Sequence, residues 1–221
     1  MIVLDIDQGS PEWLQARLGL VSASRFKDVL TEPRSKADKE SGKLSETAYS
    51  YLCELVAEII TGEQAEVKGY ALDWGNQYED EARELYDMTH ADVSEVGIIL
   101  HDSRKFGASP DGLVGDDGMI EIKCPYNSTN HVKTVVSGEV PKEHLPQIQG
   151  NLLVNGREWC DFISFDPRVN GKGRLFVKRV YRNDVYIKAL EQKLTNFIKQ
   201  LDQTLLNSFG IVWEGVQQEA A

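Results

Sequence analysis

Apolar residues recur along this chain with two periods, and the switches between them mark out its elements. Leu52, Leu55, Val56, Ile59 and Ile60 lie at the spacing of one helical face, which predicts a helix capped by Ser45 and ended by Gly62. A second helix is expected over 70–88, apolar at Leu72, Trp74, Tyr78, Ala82 and Leu85, with most of its acids on the wet face. A last long one is expected over 184–206, through Val185, Leu190, Leu194, Ile198, Leu201 and Leu205. Ser10-Pro11-Glu12 starts a shorter helix whose Trp13, Leu14 and Leu18 face a core before Gly19 stops it. Ser24 is placed to cap the next one, through Leu30. Helices are also expected over 128–136 and 143–154, and residues 31–43, polar and interrupted by Pro33, read as a mobile loop. Strand patterns occupy 93–101, 159–165 and 175–181, the last two joined by a turn rich in Asp, Pro, Asn and Gly.

The shortest pattern carries the most chemistry. Residues 119–123 alternate, so as a strand they put Ile120 and Ile122 into a core and Glu121 and Lys123 on the opposite face. Gly115-Asp116-Asp117-Gly118 has the composition of a tight turn back to an extended run over 111–114. A hairpin of that register brings Asp111 beside Glu121. Two carboxylates about 4 Å apart repel by roughly 4 kcal/mol at an effective dielectric near 20. A hard divalent ion such as Mg²⁺ resolves this, keeping waters and positions for phosphate oxygens, while the lysine holds or acidifies an attacking water. The set points to phosphodiester hydrolysis. The spacing alone equally fits a surface hairpin with a solvated Glu121–Lys123 pair.

Composition bounds the rest. The 221 residues, 41% hydrophobic and 27% charged, suit one α/β domain over 1–221, with a central mixed sheet built on the 93–123 strands and the two later ones. No apolar run approaches the length of a membrane span, and the first residues lack the basic start and apolar stretch of a signal peptide, so no membrane partner and a cytoplasmic location are expected. Cys53, Cys124 and Cys160 are spaced for neither disulfides nor zinc and read as reduced core or near-core thiols. The net charge of -11 argues against a broad nucleic-acid surface, unless basic residues line one channel inside an acidic exterior. Arg17, with Ser22 and Ser24, could form an anion site or an ordinary helix cap with an exposed arginine. Arg34 reads as a solvated loop charge. Gln147 and Gln149, two apart on a helix, cannot share one face.

The pattern Asp111-x9-Glu121-Ile122-Lys123, with Pro110 before it, resembles the PD-(D/E)xK nuclease signature. The longer run of Ser109-Pro-Asp-Gly and Glu-Ile-Lys-Cys-Pro is similar to the phage lambda exonuclease family of viral recombinases. Four further blocks stand in the order found there: Trp13 with Arg17-Leu-Gly and Ser24, Trp74-Gly-x-Gln-Tyr-Glu79, Gln147-x-Gln149, and Phe165-Asp-Pro-Arg168. The resemblance implies a restriction-endonuclease-like fold and a Mg²⁺-dependent (or Mn²⁺-dependent) 5′ to 3′ exonuclease on ends of double-stranded DNA. It further implies a ring-shaped homotrimer, a single-strand annealing protein as partner, and a phage or prophage gene expressed in a bacterial host cell. By the same resemblance Asp111, Glu121 and the carbonyl of Ile122 hold metal, Lys123 positions the water, and Glu79 and Gln147 orient waters around them. Arg17, Ser24 and Ser109 grip the 5′-phosphate, Arg34 reaches the minor groove, and Leu72 wedges the terminal base pairs or is a core residue. The family often has tyrosine where His144 stands. The competing readings are an endonuclease of the same fold and a non-catalytic DNA-binding subunit. A Ca²⁺-stabilised structural domain is a third reading, but Asp-Asp-Gly lacks the spaced oxygen ligands of a calcium loop.

Overall fold

The computed structural model describes residues 1–64 and 69–217. Its first half runs β1 (Ile2–Leu4), α1 (Pro11–Ala16), β2 (Val21–Ser22), α2 (Phe26–Val29), α3 (Lys36–Glu40), α4 (Glu46–Thr61), α5 (Tyr70–Thr89), β3 (Ile98–Leu100) and β4 (Phe106–Ala108). The second half runs β5 (Gly112–Val114), β6 (Gly118–Lys123), α6 (Ser128–Ser137), α7 (Leu145–Asn155), β7 (Trp159–Phe165), β8 (Leu175–Tyr181) and α8 (Asp184–Phe209).

Cap chemistry sets several of these boundaries. Ser10 accepts the Trp13 N–H at the start of α1, with Pro11 at the first helical position, and Ser45 accepts the Ala48 N–H at the start of α4. Gly62 ends α4 in the left-handed region at φ 70°. Strands β7 and β8 and the start of α8 fall where the period of the sequence changes.

The strands form two four-stranded mixed sheets, in the orders β1-β3-β4-β2 and β5-β6-β7-β8, where a single central sheet is expected from the sequence. Residues 109–111, with Pro110 lacking an N–H, interrupt the run between β4 and β5. The expected strand over 93–101 shrinks to β3 for a related reason. Ser94 makes an isolated bridge to Leu113, and Gly97 passes so close to β1 that a Cβ there would lie 2.3 Å from the Leu4 carbonyl oxygen.

Between the sheets runs α7, packed on β7 through Ile148 and Leu152, which cluster with Met119 and Phe162. Its Gly150 is there for space, since a Cβ would sit 2.4 Å from the Phe26 ring. Gln149 fastens the same helix to the β8–α8 junction, donating to the Tyr181 carbonyl and accepting the Asn183 N–H, both at 2.9 Å. Helices α4 and α8 pack together over the first sheet, and α5 covers β6 and β7 of the second. The buried Asp161, paired with the exposed Arg179, receives the Tyr86 hydroxyl from α5 at 2.8 Å and ties that helix to the sheet.

Other expectations need correction. Ser24 caps nothing: Ser22 precedes a short 3-10 turn over Ala23–Arg25, and Ser24 is exposed, its hydroxyl 3.1 Å from that of Ser22. The loop over 31–43 contains α3, capped by Ser35 on the Asp38 N–H. Leu14, Ile60, Leu72 and Val185 are exposed although their periods placed them in the core. Each lies at the edge of its apolar stripe, where periodicity gives direction but not depth. Cys53 is exposed, whereas Cys124 and Cys160 are buried.

Candidate active site

The hairpin of β5 and β6 pairs Gly112 with Ile120, Leu113 with Met119 and Val114 with Gly118. That register carries Asp111 alongside Glu121 and Ile122, and the Ile122 N–H donates to Asp111 Oδ2 at 2.5 Å. Arg157, entering from the end of α7, donates to the carbonyls of Gly115 and Gly118, each at 2.7 Å, and so fixes the turn. The solvated-pair reading of Glu121 and Lys123 fails on burial. Glu121 is 0% exposed because β6 lies inside its sheet, parallel to β7, with α7 across its polar face. Lys123 Nζ donates to Glu121 Oε1, and the lysine side chain is 32% exposed, at the floor of an open cleft of about 860 Å³. Ile122 and Glu79 also line that cleft.

Glu79 arrives from α5, held by Arg83 Nη2 at 3.0 Å, while Arg83 Nε donates to the backbone carbonyl of Asp111 at 2.8 Å. The helix therefore docks on the hairpin through one guanidinium. Burial pushes Glu121 up to about 8, with Lys123 opposing and Asp111 reinforcing the shift. Burial and then the repulsion of Asp111 push Glu79 up to about 7, against Arg83 and Lys123. Burial also raises Asp111. For Lys123 burial works against the charge, but the surrounding Glu121, Asp111 and Glu79 outweigh it and keep the ammonium protonated. Three carboxylates, one of them fully buried, thus crowd one place, which is the electrostatic condition that a cation relieves. No group of three His, Cys, Asp or Glu side chains suited to a metal occurs among the described residues. Mg²⁺ needs only one or two carboxylates, with backbone and water oxygens completing the set, so Asp111, Glu121 and the Ile122 carbonyl fit it chemically.

A second cavity, of about 810 Å³, is lined by Trp13, Arg17, Ser22, Ser24, Glu58 and Leu72, among others. Arg17 stacks on the Trp13 ring at 4.2 Å, and the Trp13 indole N–H donates to Ser109 Oγ at 3.2 Å. Burial lowers the Arg17 pKa, with Tyr51 and Glu58 acting the other way. The structure therefore brings Arg17 and Ser24 to one pocket, while Ser109, two residues before Asp111, lies outside its lining and is joined to it only through Trp13. Leu72 lines both this pocket and the cleft. It stands between them, neither core nor isolated. Arg34 lies elsewhere, in a cavity beside α3 and α4 that shares no lining residue with either.

Gln147 is half-buried near the start of α7 and is not among the cleft-lining residues. One turn on, Asn151 donates to Glu121 Oε2 at 2.9 Å. Asn151, Arg83 and Arg157 are the residues that sequence reasoning missed. Arg83 carried a signal, standing four residues after Glu79 on one helix, and Asn151 carried one as a polar residue amid Ile148, Leu152 and Val154. Arg157, in an irregular segment, carried none. The Phe165-Asp-Pro-Arg168 block also has a local role. Asp166, 0% exposed, holds Arg168, which lies 4.2 Å from the Trp74 ring centre and donates to the carbonyls of Pro125 and Tyr126, just past Lys123. Beside Lys123, burial pushes the Cys124 thiol up to about 12, so it is not a thiolate nucleophile at neutral pH.

His144 stacks on Phe162 at 5.3 Å, on the wall of the cleft. Burial and then the charge of Lys123 bring it down to about 4. Unfolding releases it to its ordinary value near 6.5, so the unfolded chain binds the extra proton between these limits, and folded-state stability falls as pH drops from about 6.5 to 4. Discounted for partial solvent access, the effect is about 1–2 kcal/mol. An NMR titration should show a midpoint near 4 for this imidazole, and His144→Gln should lack this part of the acid destabilisation. A midpoint near 6.5 would mean that the ring is solvated.

A hairpin with an Asp, a buried Glu and a half-buried Lys at its edge, set in mixed sheets flanked by helices, defines the PD-(D/E)xK class of nuclease fold. The profile of the YqaJ-like viral recombinase domain matches residues 12–158, and the chain belongs to that family. Among solved structures it is similar to an alkaline exonuclease (LHK-Exo) from Laribacter hongkongensis, at 37% identity and a TM-score of 0.79, over 89% of this chain and 94% of that one. The same enzyme in complex with dAMP matches at 38% identity, with the same TM-score and coverage. A phage related exonuclease from Haemophilus somnus 129PT shares the fold at 22% identity and a TM-score of 0.62, over 84% of this chain and 95% of that one. No curated protein sequence matches significantly. No helix among the described residues is long and apolar enough to cross a membrane.

Proposed function

We propose that this chain, as one nuclease domain over 1–221, is a Mg²⁺-dependent 5′ to 3′ exonuclease acting on linear double-stranded DNA. It takes 5′-phosphorylated ends, releases mononucleotides and leaves a 3′ single strand for a single-strand annealing protein. The observation that carries this reading is the continuity of two sites: the Asp111–Glu121–Lys123 set opens through Lys123 into a cleft that shares Leu72 with the Arg17 and Ser24 pocket. An endonuclease of this fold needs the first site but no pocket for a chain end.

In this reading Asp111, Glu121 and the Ile122 carbonyl would hold a divalent ion, which would supply positive charge at the scissile phosphate and lower the pKa of a water. The chain supplies the rest. Lys123, kept charged by its carboxylates, donates to the attacking water and holds it at the cleft floor. Glu79, steadied by Arg83, accepts from waters on the opposite wall, and Gln147, although outside the cleft lining, is assigned by the family resemblance to orient others. Arg17, with the hydroxyls of Ser24 and Ser109, binds the terminal phosphate, and Leu72 lies against the last base pair as the strands part. Arg34 reaches the duplex farther along. The protein works as a ring-shaped homotrimer in the cytoplasm of a bacterial host cell, encoded by a phage or prophage, with basic residues lining the ring of a molecule whose net charge is -11.

The test is digestion with Mg²⁺ of linear duplex bearing 5′-phosphate or 5′-hydroxyl ends, against a closed circle of the same sequence. The expected result is rapid mononucleotide release from phosphorylated ends and an intact circle. A cut circle would replace the exonuclease with an endonuclease, and no cleavage of any substrate would leave a DNA-binding subunit. Light scattering should give about three times 24.8 kDa.

A further inference from the structure

Three consecutive residues of α7 are each committed to a different neighbour. Gln149 is bonded to the β8–α8 junction, Gly150 presses on Phe26, and Asn151 reaches Glu121. The first two hold the helix still. The third is expensive where it stands. Asn151 is 1% exposed, and its Oδ1 is buried with no hydrogen-bond partner among the described residues. An apolar residue of similar volume would avoid that unpaired oxygen. What the amide provides in return is one N–H, aimed at Glu121 Oε2 at 2.9 Å, on the side of the carboxylate away from Lys123.

We propose that Asn151 is a positioning residue for the hydrolytic site, holding the Glu121 carboxylate in the orientation from which it serves beside Asp111 as a cation ligand. The proposal rests on the metal-dependent reading above. Glu121 is gripped from both sides, Oε1 by Lys123 and Oε2 by Asn151, and the two donors differ in kind. Lys123 sits at the cleft floor, a third exposed, and is free to turn toward substrate or water. Asn151 is enclosed and mounted on an anchored helix, so its hold on the carboxylate persists when the lysine lets go. An acceptor in its place would repel Glu121, and a hydroxyl on a shorter side chain would fall short. Removing a residue that orients a metal ligand in this way typically costs 10- to 100-fold in metal affinity or activity.

The experiment uses Asn151→Leu, which keeps the branched shape but is larger, and Asn151→Ala, which folds if leucine is too bulky. Calorimetric titration with Mn²⁺ on protein without DNA is the primary measurement, followed by steady-state digestion of linear duplex. The expected result is Mn²⁺ binding weakened 10- to 100-fold, with kcat lowered by a similar factor, KM for duplex ends within about twofold of wild type, and the preference for 5′-phosphate intact. A residue that merely filled the core would change melting temperature and leave metal affinity alone. A folded variant with wild-type Mn²⁺ affinity overturns the proposal. Should wild type bind Mn²⁺ yet degrade no linear duplex, the proposed function fails while the calorimetric comparison still decides the role of Asn151.

Discussion

Glu121→Gln should abolish hydrolysis, with a loss of at least about 1000-fold, or about 4 kcal/mol of barrier, and should leave the fold in place. The substitution preserves shape, and it keeps both partners once the Asn151 amide turns over: the glutamine oxygen accepts from Lys123, and its NH2 donates to the Asn151 Oδ1 that is otherwise unpaired. It removes the charge that a divalent ion needs. Because Glu121 is fully buried and pushed up to about 8 by that burial, the neutral amide relieves a strained group in the absence of metal. The variant should therefore melt no lower than wild type in chelator. Mg²⁺ at about 100 times its dissociation constant stabilises wild type by about 2.7 kcal/mol, roughly 5–10 °C for a chain of this size, and this shift should vanish in the variant. Asp111→Ala should likewise lose activity and the shift, but it also frees the Ile122 N–H that its carboxylate now accepts, so some loss of stability is expected. A melting scan with and without Mg²⁺, beside a digestion assay, checks both variants. Turnover within tenfold of wild type in either would remove the hairpin from the chemistry.

The hairpin was legible because a strand has period two and a turn has its own composition. Those two facts fix which residues oppose each other, and with them the neighbourhood of Asp111 and Glu121. The strands β7 and β8 and the start of α8 were equally plain, each bounded by turn or cap residues. What the sequence does not carry is depth. Glu121 and Lys123 alternate with isoleucines in the manner of a half-exposed strand, yet β6 is paired on both edges and α7 reaches the polar face as well, so Glu121 is dry and only Lys123 meets the cleft. The division into two sheets escaped for a similar reason, because pairing between strands far apart in sequence leaves little local trace. Leu72 shows the limit from the other side. Its helical period put it in the core, and its resemblance put it at the DNA; it stands exposed between two cavities, a position that only the packing of α5 determines.

Arg17→Ala should separate recognition of the chain end from cleavage. Its guanidinium lies against the Trp13 ring, deep enough that burial lowers its pKa, in a pocket with the Ser22 and Ser24 hydroxyls. A cation desolvated in this way gains more from an incoming phosphate than one in water does, because part of its hydration has already been lost. A charge-assisted contact of this kind contributes roughly 1.5–3 kcal/mol, or about 10- to 150-fold, to the advantage of a 5′-phosphate over a 5′-hydroxyl end. The variant should therefore digest phosphorylated duplex at a rate approaching that on hydroxyl ends, while its rate on hydroxyl ends stays within a few fold of wild type. Asp111, Glu121 and Lys123 are untouched, so the Mg²⁺ shift in melting temperature should persist. Processivity should fall as well, since each cleavage creates a new phosphate for the same pocket to capture. Initial rates on matched ends, with and without a trap for dissociated enzyme, give both quantities. If the variant keeps the full wild-type preference for phosphate, the pocket of Arg17 holds some other part of the substrate, and the end must be read elsewhere in the molecule.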